Sequence, residues 1–218
     1  MTDAPHEKAA ALLADLPLVD GHCHPILAAA PDPEAFALAA TEADVAPAGL
    51  SLLDGPVGLA LRRVPEVNGS YDGDAMILHE AVNVGVATAV DDGLVVPIVR
   101  NADREPLAAI VRIARGLLER ARSGRFGAED LSGGTFTLSN LGMLPVSEFA
   151  AVINPPQAAI LAIGAIREVP VVRDGEIVPG RMMTATLSCD HRVIDGVLAG
   201  RFLRELKTLL ENPLALVL

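Results

Sequence analysis

Apolar and polar positions change their spacing several times along this chain, and each change marks an element. Across residues 106–122, Leu107, Ile110, Val111, Ala114, Leu117 and Leu118 recur at helical spacing, and Ser123-Gly124 ends the run. The same period returns over residues 197–211, with Leu198, Phe202, Leu206, Leu209 and Leu210 on one face and Asn212-Pro213 as the stop. Elsewhere the apolar runs are short, β-branched and bounded by turn residues. Residues 81–90 and 94–99, joined by Asp91-Asp92-Gly93, predict a hairpin; residues 170–178, with Asp174-Gly175 between, predict another. A strand is expected over 135–139, after Gly133-Gly134. Residues 158–166 are almost continuously apolar, as a central strand would be, and 182–187 predict a further buried strand. Asp72-Gly73 reads as a turn, 126–131 as a short connection, 140–143 as a loop and 145–156 as irregular chain.

The first part of the chain is less regular. Residues 6–16 fit a short helix. Leu18-Val19-Asp20 then reads as a brief strand running into Gly21-His22-Cys23-His24-Pro25. Residues 33–42 have helical composition with a proline at the start. Residues 45–61 mix Pro47, Gly49, Gly55, Pro56 and Gly58 with leucines and predict loop and a short helix.

Composition narrows the partners. Of 218 residues, 51% are hydrophobic and only 3% aromatic, with no Trp, so the core is built from Val, Leu, Ile and Ala. A formal net charge of −11 argues against nucleic acid or an anionic membrane as partner, while leaving room for local basic patches. The two cysteines, Cys23 and Cys189, are too few for a disulfide framework, which points to a reducing, cytoplasmic setting. The acidic N-terminus has no basic segment followed by an apolar core, and no uncharged apolar run reaches ~18 residues, so neither a secretory signal nor a membrane span is expected.

The chemistry concentrates in Thr184-Ala185-Thr186-Leu187-Ser188-Cys189-Asp190-His191-Arg192-Val193-Ile194-Asp195-Gly196. A histidine at a strand end between acids, just before a glycine, is placed for proton transfer, since an imidazole takes up and returns a proton near neutrality. Asp195, four residues on, is positioned to orient the ring or to pair with Arg192, while Asp190 and Arg192 are expected to form salt bridges that hold the loop. Alone, the pattern also fits a loop histidine among solvated acids. Buried Cys189 behaves as a small hydrophobe and is given no chemical role. His79 has no motif around it and is expected at the surface.

DHRVIDG followed by GRFLRELKTLLENP resembles the C-terminal signature of the 2-oxoacid dehydrogenase acyltransferases, a family that includes chloramphenicol acetyltransferase. GGTFTLSNLGMLPVSEFAAVINPPQAAILAIGAI and the earlier PEVNGSYDGD, VNVGVA and GLVVPIVRNADR resemble the same family. These blocks stand in order across residues 65–218, and SNLGM, INPPQAAILAIGA and TLSCDHRV are typical of its pyruvate dehydrogenase acetyltransferase branch. The resemblance implies an α/β fold: a mixed β-sheet with flanking helices, chloramphenicol acetyltransferase-like and incomplete on its N-terminal side. It implies acyl transfer between dihydrolipoamide and coenzyme A, with His191 as general base, Ser139 stabilising the oxyanion and Asp195 in an orienting role. Coenzyme A enters as substrate, the lipoyl group is carried by another domain or protein, and no metal is expected. A homotrimer or larger core is implied, with the histidine from one chain and the serine from the next. Its partners are the lipoyl domain and the 2-oxoacid dehydrogenase and dihydrolipoamide dehydrogenase components. Asn154-Pro155-Pro156 is expected to shape a channel or a subunit contact.

Residues 1–63 lie outside those blocks. An apolar strand ending in His22-Cys23-His24 resembles the first metal motif of the amidohydrolases, where two imidazoles hold one ion. The later histidines and the late acid of that family are missing, and a (β/α)₈ barrel needs ~200 residues or more. The expected organisation is therefore a short amidohydrolase-like segment, 1–63, before an acyltransferase core, 64–218. Two alternatives accompany it: an inactive, truncated assembly remnant of such a core, and a metal-dependent hydrolase using His22 and His24.

Overall fold

The computed structural model describes the backbone of residues 21–29 and the full residues 53–91 and 93–212. The helices predicted at 6–16 and 33–42, the strand at 18–20 and the apolar tail at 214–218 lie outside the described residues. In chain order the elements are β1 (Gly21–Ala29), α1 (Asp54–Arg63), a 3₁₀ turn (Pro65–Val67), β2 (Gly69–Asp72), β3 (Ala75–Leu78), β4 (Val84–Val86), β5 (Thr88–Val90), β6 (Gly93–Val95) and β7 (Ile98–Val99). After these come α2 (Leu107–Arg122), α3 (Ala128–Leu131), β8 (Phe136–Asn140), β9 (Ala159–Ile163), β10 (Arg167–Arg173), β11 (Glu176–Asp190) and α4 (Gly196–Glu211).

The main sheet runs β1-β11-β9-β8-β4-β7, with β10 also paired to β11. β4, β8 and β9 are parallel neighbours, whereas β11 is antiparallel to both β9 and β1, so the sheet is mixed as expected. Long β11 organises it. Along β11, Ala185, Leu187 and Cys189 alternate with Thr184, Thr186 and Ser188. Both sets are buried, and alternation sends them to opposite faces. The apolar set joins one cluster with Phe136 and Leu138 of β8, Val57, Ala60 and Leu61 of α1, and Phe202, Leu203, Leu206 and Leu210 of α4. Phe136 and Phe202 rings meet at 5.6 Å between centroids and fasten α4 to β8. Helix α1 precedes residue 64, yet its buried face belongs to this same core.

Several predicted elements are redrawn by the tertiary structure. The hairpin over 81–99 keeps one register but splits into two ladders, β4 with β7 and β5 with β6. Val86 donates to the Pro97 carbonyl at 2.9 Å, and Pro97, lacking an N–H, cannot answer, so the ladder breaks there. The hairpin at 170–178 and the strand at 182–187 are parts of one longer pairing: β10 turns through Asp174 (φ 52°) and Gly175 (φ 84°) into a fifteen-residue β11. The connection at 126–131 contains the short helix α3, and Asn140, expected in a loop, ends β8.

The largest departure concerns the first histidines. Residues 21–29, expected only as the histidine-bearing end of a brief strand, form β1 throughout, in register His22↔Cys189 and His24↔Leu187. An open edge on β11 offers a row of unpaired backbone groups, and pairing with it outweighs the local Gly and Pro signals; Pro25 is tolerated because an edge strand has one unpaired side. This strand is antiparallel in a mixed sheet, unlike the parallel strands of a (β/α)₈ barrel.

Candidate active site

β11 ends at Asp190, and the chain turns immediately. Val193 and Ile194 N–H groups both donate to the Asp190 carbonyl, at 3.0 and 2.9 Å. The buried Asp190 carboxylate accepts from the Arg192 backbone N–H (3.0 Å), from Nε (3.0 and 3.2 Å) and from Nη2 (2.6 Å). His191 sits between these two tied residues, exposed to solvent, at the tip of the turn. The guanidinium holds the Asp190 carboxyl below its ordinary range, chiefly through those side-chain hydrogen bonds, and Arg192 is shifted up in return. The ion pair therefore stays charged across the range in which an imidazole titrates. Arg192 also lies over the ring of Tyr71 in β2, 4.2 Å from guanidinium carbon to centroid.

Of the two partners open to Arg192 on sequence grounds, Asp190 takes it. Asp195 caps α4 instead, its Oδ1 accepting from Leu198 N–H at 2.8 Å. Cys189 is wholly buried in the core.

Ser139 lies half-buried near the C-terminal end of β8. The register Ser139↔Ala162 and Ala162↔Thr186 places it in the row of Thr186, two strands over. His191 is five residues beyond Thr186, toward the end of the sheet where β8 begins. At ~3.3 Å per residue and ~4.8 Å between strands, the two stand roughly 16 Å apart along the sheet and 10 Å across it. Within one chain they do not meet. The structure thus brings His191 together with Asp190, Arg192 and Tyr71, and leaves Ser139 at the opposite end.

The Ser139 end is held differently. Leu141 N–H donates to the Ile163 carbonyl (3.0 Å), Ala165 N–H to Val146 (2.7 Å), and Gly142 N–H to Asn140 Oδ1 (2.6 Å). A Cβ on Gly164 would collide with the Ser147 carbonyl, so this close backbone approach requires glycine. Asn154-Pro155-Pro156 precedes Gln157, whose buried Oε1 meets Thr137 Oγ1 at 2.5 Å.

Three features escaped the sequence reading. Tyr71 is separated from Arg192 by most of the fold, and no local pattern links them. His79 is half-buried, its Nε2 3.1 Å from Ser70 Oγ, because the chain continues the β2–β3 ladder, with His79 N–H donating to the Asn68 carbonyl. Asp54, at the first turn of α1, is fully buried; burial pushes its carboxyl from 3.8 up to about 7, and neither oxygen has a hydrogen-bond partner among the described residues.

The mixed sheet with helices over its apolar face defines the class first: this is the chloramphenicol acetyltransferase fold, matched with TM-score 0.59 at 14% identity over 96% of each chain. The chain belongs to the family described as 2-oxoacid dehydrogenases acyltransferase (catalytic domain), which matches residues 42–218. A Schizosaccharomyces pombe mitochondrial dihydrolipoyllysine-residue acetyltransferase component of the pyruvate dehydrogenase complex is 46% identical over 73% of this chain, and a Rhizobium meliloti counterpart 44% over 74%. The chain spans only 34% and 36% of those two proteins. Among solved structures, the cubic core of a pyruvate dehydrogenase multienzyme complex superposes with TM-score 0.85 at 33% identity, covering 100% of this chain and 94% of that one. An Azotobacter vinelandii dihydrolipoamide acetyltransferase, studied for the roles of a serine, a histidine and an asparagine in catalysis, gives TM-score 0.85 at 32% identity over the same shares. Among the described residues, no helix is long and apolar enough to cross a membrane.

Proposed function

We propose that this chain moves an acetyl group between dihydrolipoamide and coenzyme A, at a site shared by two copies. The observation that carries this is the separation of Ser139 from His191: both fit the chemistry, and one chain alone cannot bring them together. The intervals between Ser139, His191 and Asp195 equal those between the serine, histidine and asparagine probed in the Azotobacter vinelandii enzyme, with aspartate here in place of asparagine. The cubic core of the related complex supports the assembly that a shared site demands.

In this mechanism His191 takes the proton of the attacking thiol, because the thiolate is the reactive form. The sulfur adds to the thioester carbonyl, and the resulting oxyanion accepts a hydrogen bond from Ser139 Oγ of the neighbouring copy. Collapse breaks the bond to the original sulfur, and the imidazolium returns its proton to that departing thiol. No acyl-enzyme forms and no metal takes part. Asp195 acts through the backbone: by capping α4 it fixes where the helix starts, five residues after His191.

The lipoyl group would arrive on another domain or protein, alongside 2-oxoacid dehydrogenase and dihydrolipoamide dehydrogenase components, in the cytoplasm. Residues before 64 contribute an edge strand and a packed helix to the core and are assigned no chemistry. Native mass measurement combined with thiol-dependent acetyl transfer tests the reading. Trimers or larger assemblies that transfer acetyl groups, and lose transfer in His191→Ala while still assembling, are expected. Assemblies without transfer would favour an inert remnant, and active monomers would overturn the shared site.

A further inference from the structure

The turn that carries His191 is built against a second element, and that contact involves an aromatic face. Asp190 and Arg192 flank the histidine on either side and are joined by backbone and side-chain hydrogen bonds. Their charges cancel locally, so the histidine can gain a proton without a bare guanidinium beside it. The Arg192 head is then laid on the Tyr71 ring at 4.2 Å. Tyr71 is itself anchored: its hydroxyl donates to the Gly73 carbonyl at 2.5 Å across the β2–β3 turn. β2 is pinned to the same strand system as the turn. Ala158 N–H donates to Gly69 O (3.0 Å), and Asp190 N–H donates to Ala158 O (2.8 Å). At Gly69 an added Cβ would stand 3.3 Å from Val193 Cγ1, so strand and turn are in direct contact.

We propose that Tyr71 is a positioning residue for His191, acting through Arg192: its ring holds the guanidinium on Asp190, and this fixes both neighbours of the imidazole. The assignment rests on His191 serving as the base. Arg192 follows His191 directly, so where its guanidinium rests sets the positive charge beside the imidazole. A guanidinium released from the ring samples positions closer to the imidazole, and like charges disfavour the imidazolium.

Two variants of the full chain test this. Tyr71→Leu keeps apolar bulk but has no aromatic face; Tyr71→Phe keeps the face and loses only the hydroxyl. Tyr71→Leu is expected to lower kcat about fivefold with KM for coenzyme A unchanged. It should also move the imidazole titration of His191, followed by NMR of histidine-labelled protein and assigned with His191→Ala, toward lower pH. Tyr71→Phe should restore both. A leucine variant with the wild-type titration and kcat overturns the proposal, as does a phenylalanine variant that fails to restore them. The NMR readout does not depend on turnover. If the wild-type chain transfers no acetyl group, or His191→Ala retains its rate, the proposed function fails, and the titration still decides whether the ring positions the histidine.

Discussion

The two ends of the central sheet hold their polar residues by different means. At the His191 end the support is chiefly ionic and local: a buried carboxylate and a guanidinium two residues apart, closed on each other, with the Tyr71 ring of β2 laid against the guanidinium. At the Ser139 end the support is steric and comes from distant chain: Gly164 lets residues 146–147 lie against the end of β9, and Ser139 is carried on the neighbouring strand. Exposed Met143 and Leu144 and the almost fully exposed Val152 (90%) also lie in the chain that follows Ser139. The difference is that the proposed base is held by charges of its own chain, while the proposed oxyanion donor stands at a strand end followed by exposed apolar residues. Such a division suits a site completed by a second copy.

Substitutions can break this comparison, and the largest effect is expected at the histidine. His191→Ala should lower acetyl transfer by about a hundredfold to ten-thousandfold without changing circular dichroism or assembly; a near-normal rate would end its role as base. Ser139→Ala should lower kcat by about a hundredfold while coenzyme A binding, measured calorimetrically, stays within about twofold. An unchanged kcat would remove the serine from the oxyanion site. Mixing the two single variants sharpens the contrast: hybrid assemblies should regain part of the activity, since some interfaces then carry an intact serine and an intact histidine. No regained activity in confirmed hybrids would place both groups in one chain's site, against the register of the sheet.

Gly164→Ala tests the steric end. The added methyl must displace the Ser147 backbone, at a cost of about 2 kcal/mol, which for a chain of this size lowers Tm by about 4–8 °C. An unaltered melting curve would show that the close approach is dispensable.

Titration gives the most selective effect. Asp190 has a folded pKa below its unfolded value of 3.8, so its contribution is present above that value and is lost as pH falls through the folded pKa. Asp54 has the opposite sign. Its folded pKa is about 7 against 3.8 unfolded, so the folded state binds the extra proton between these values, and stability declines as pH rises from about 4 to about 7. Urea midpoints measured across that window should fall with rising pH in the wild type and flatten in Asp54→Asn. A slope unchanged by the substitution would remove Asp54 as its source.

Much of this was legible in residue order. The helical period of 107–122 and 196–211, the turn at Asp174-Gly175 and the apolar run of β9 are local, so they could be read locally. The pairing of Asp190 with Arg192 was also readable, because the two are close in sequence. What escaped the reading depended on contacts between distant segments. A proline at 97 broke a ladder only because Val86 stood opposite it. The strand runs on to Ala29 along the open edge of β11, through Gly21 and Pro25, which locally disfavour a strand. Tyr71 became relevant only when β2 was laid beside the histidine turn.

By itself, the sequence determined the elements that depend on spacing along the chain, the family through its ordered blocks, and the identity of His191 and Ser139 as the residues to watch. The tertiary structure alone decided that these two stand at opposite ends of one sheet, that Asp195 caps a helix, and that a carboxylate at 54 is sealed from water. The physical reason is that periodicity and turn chemistry are properties of neighbours in sequence, whereas register, burial and the distance between functional groups are properties of neighbours in space.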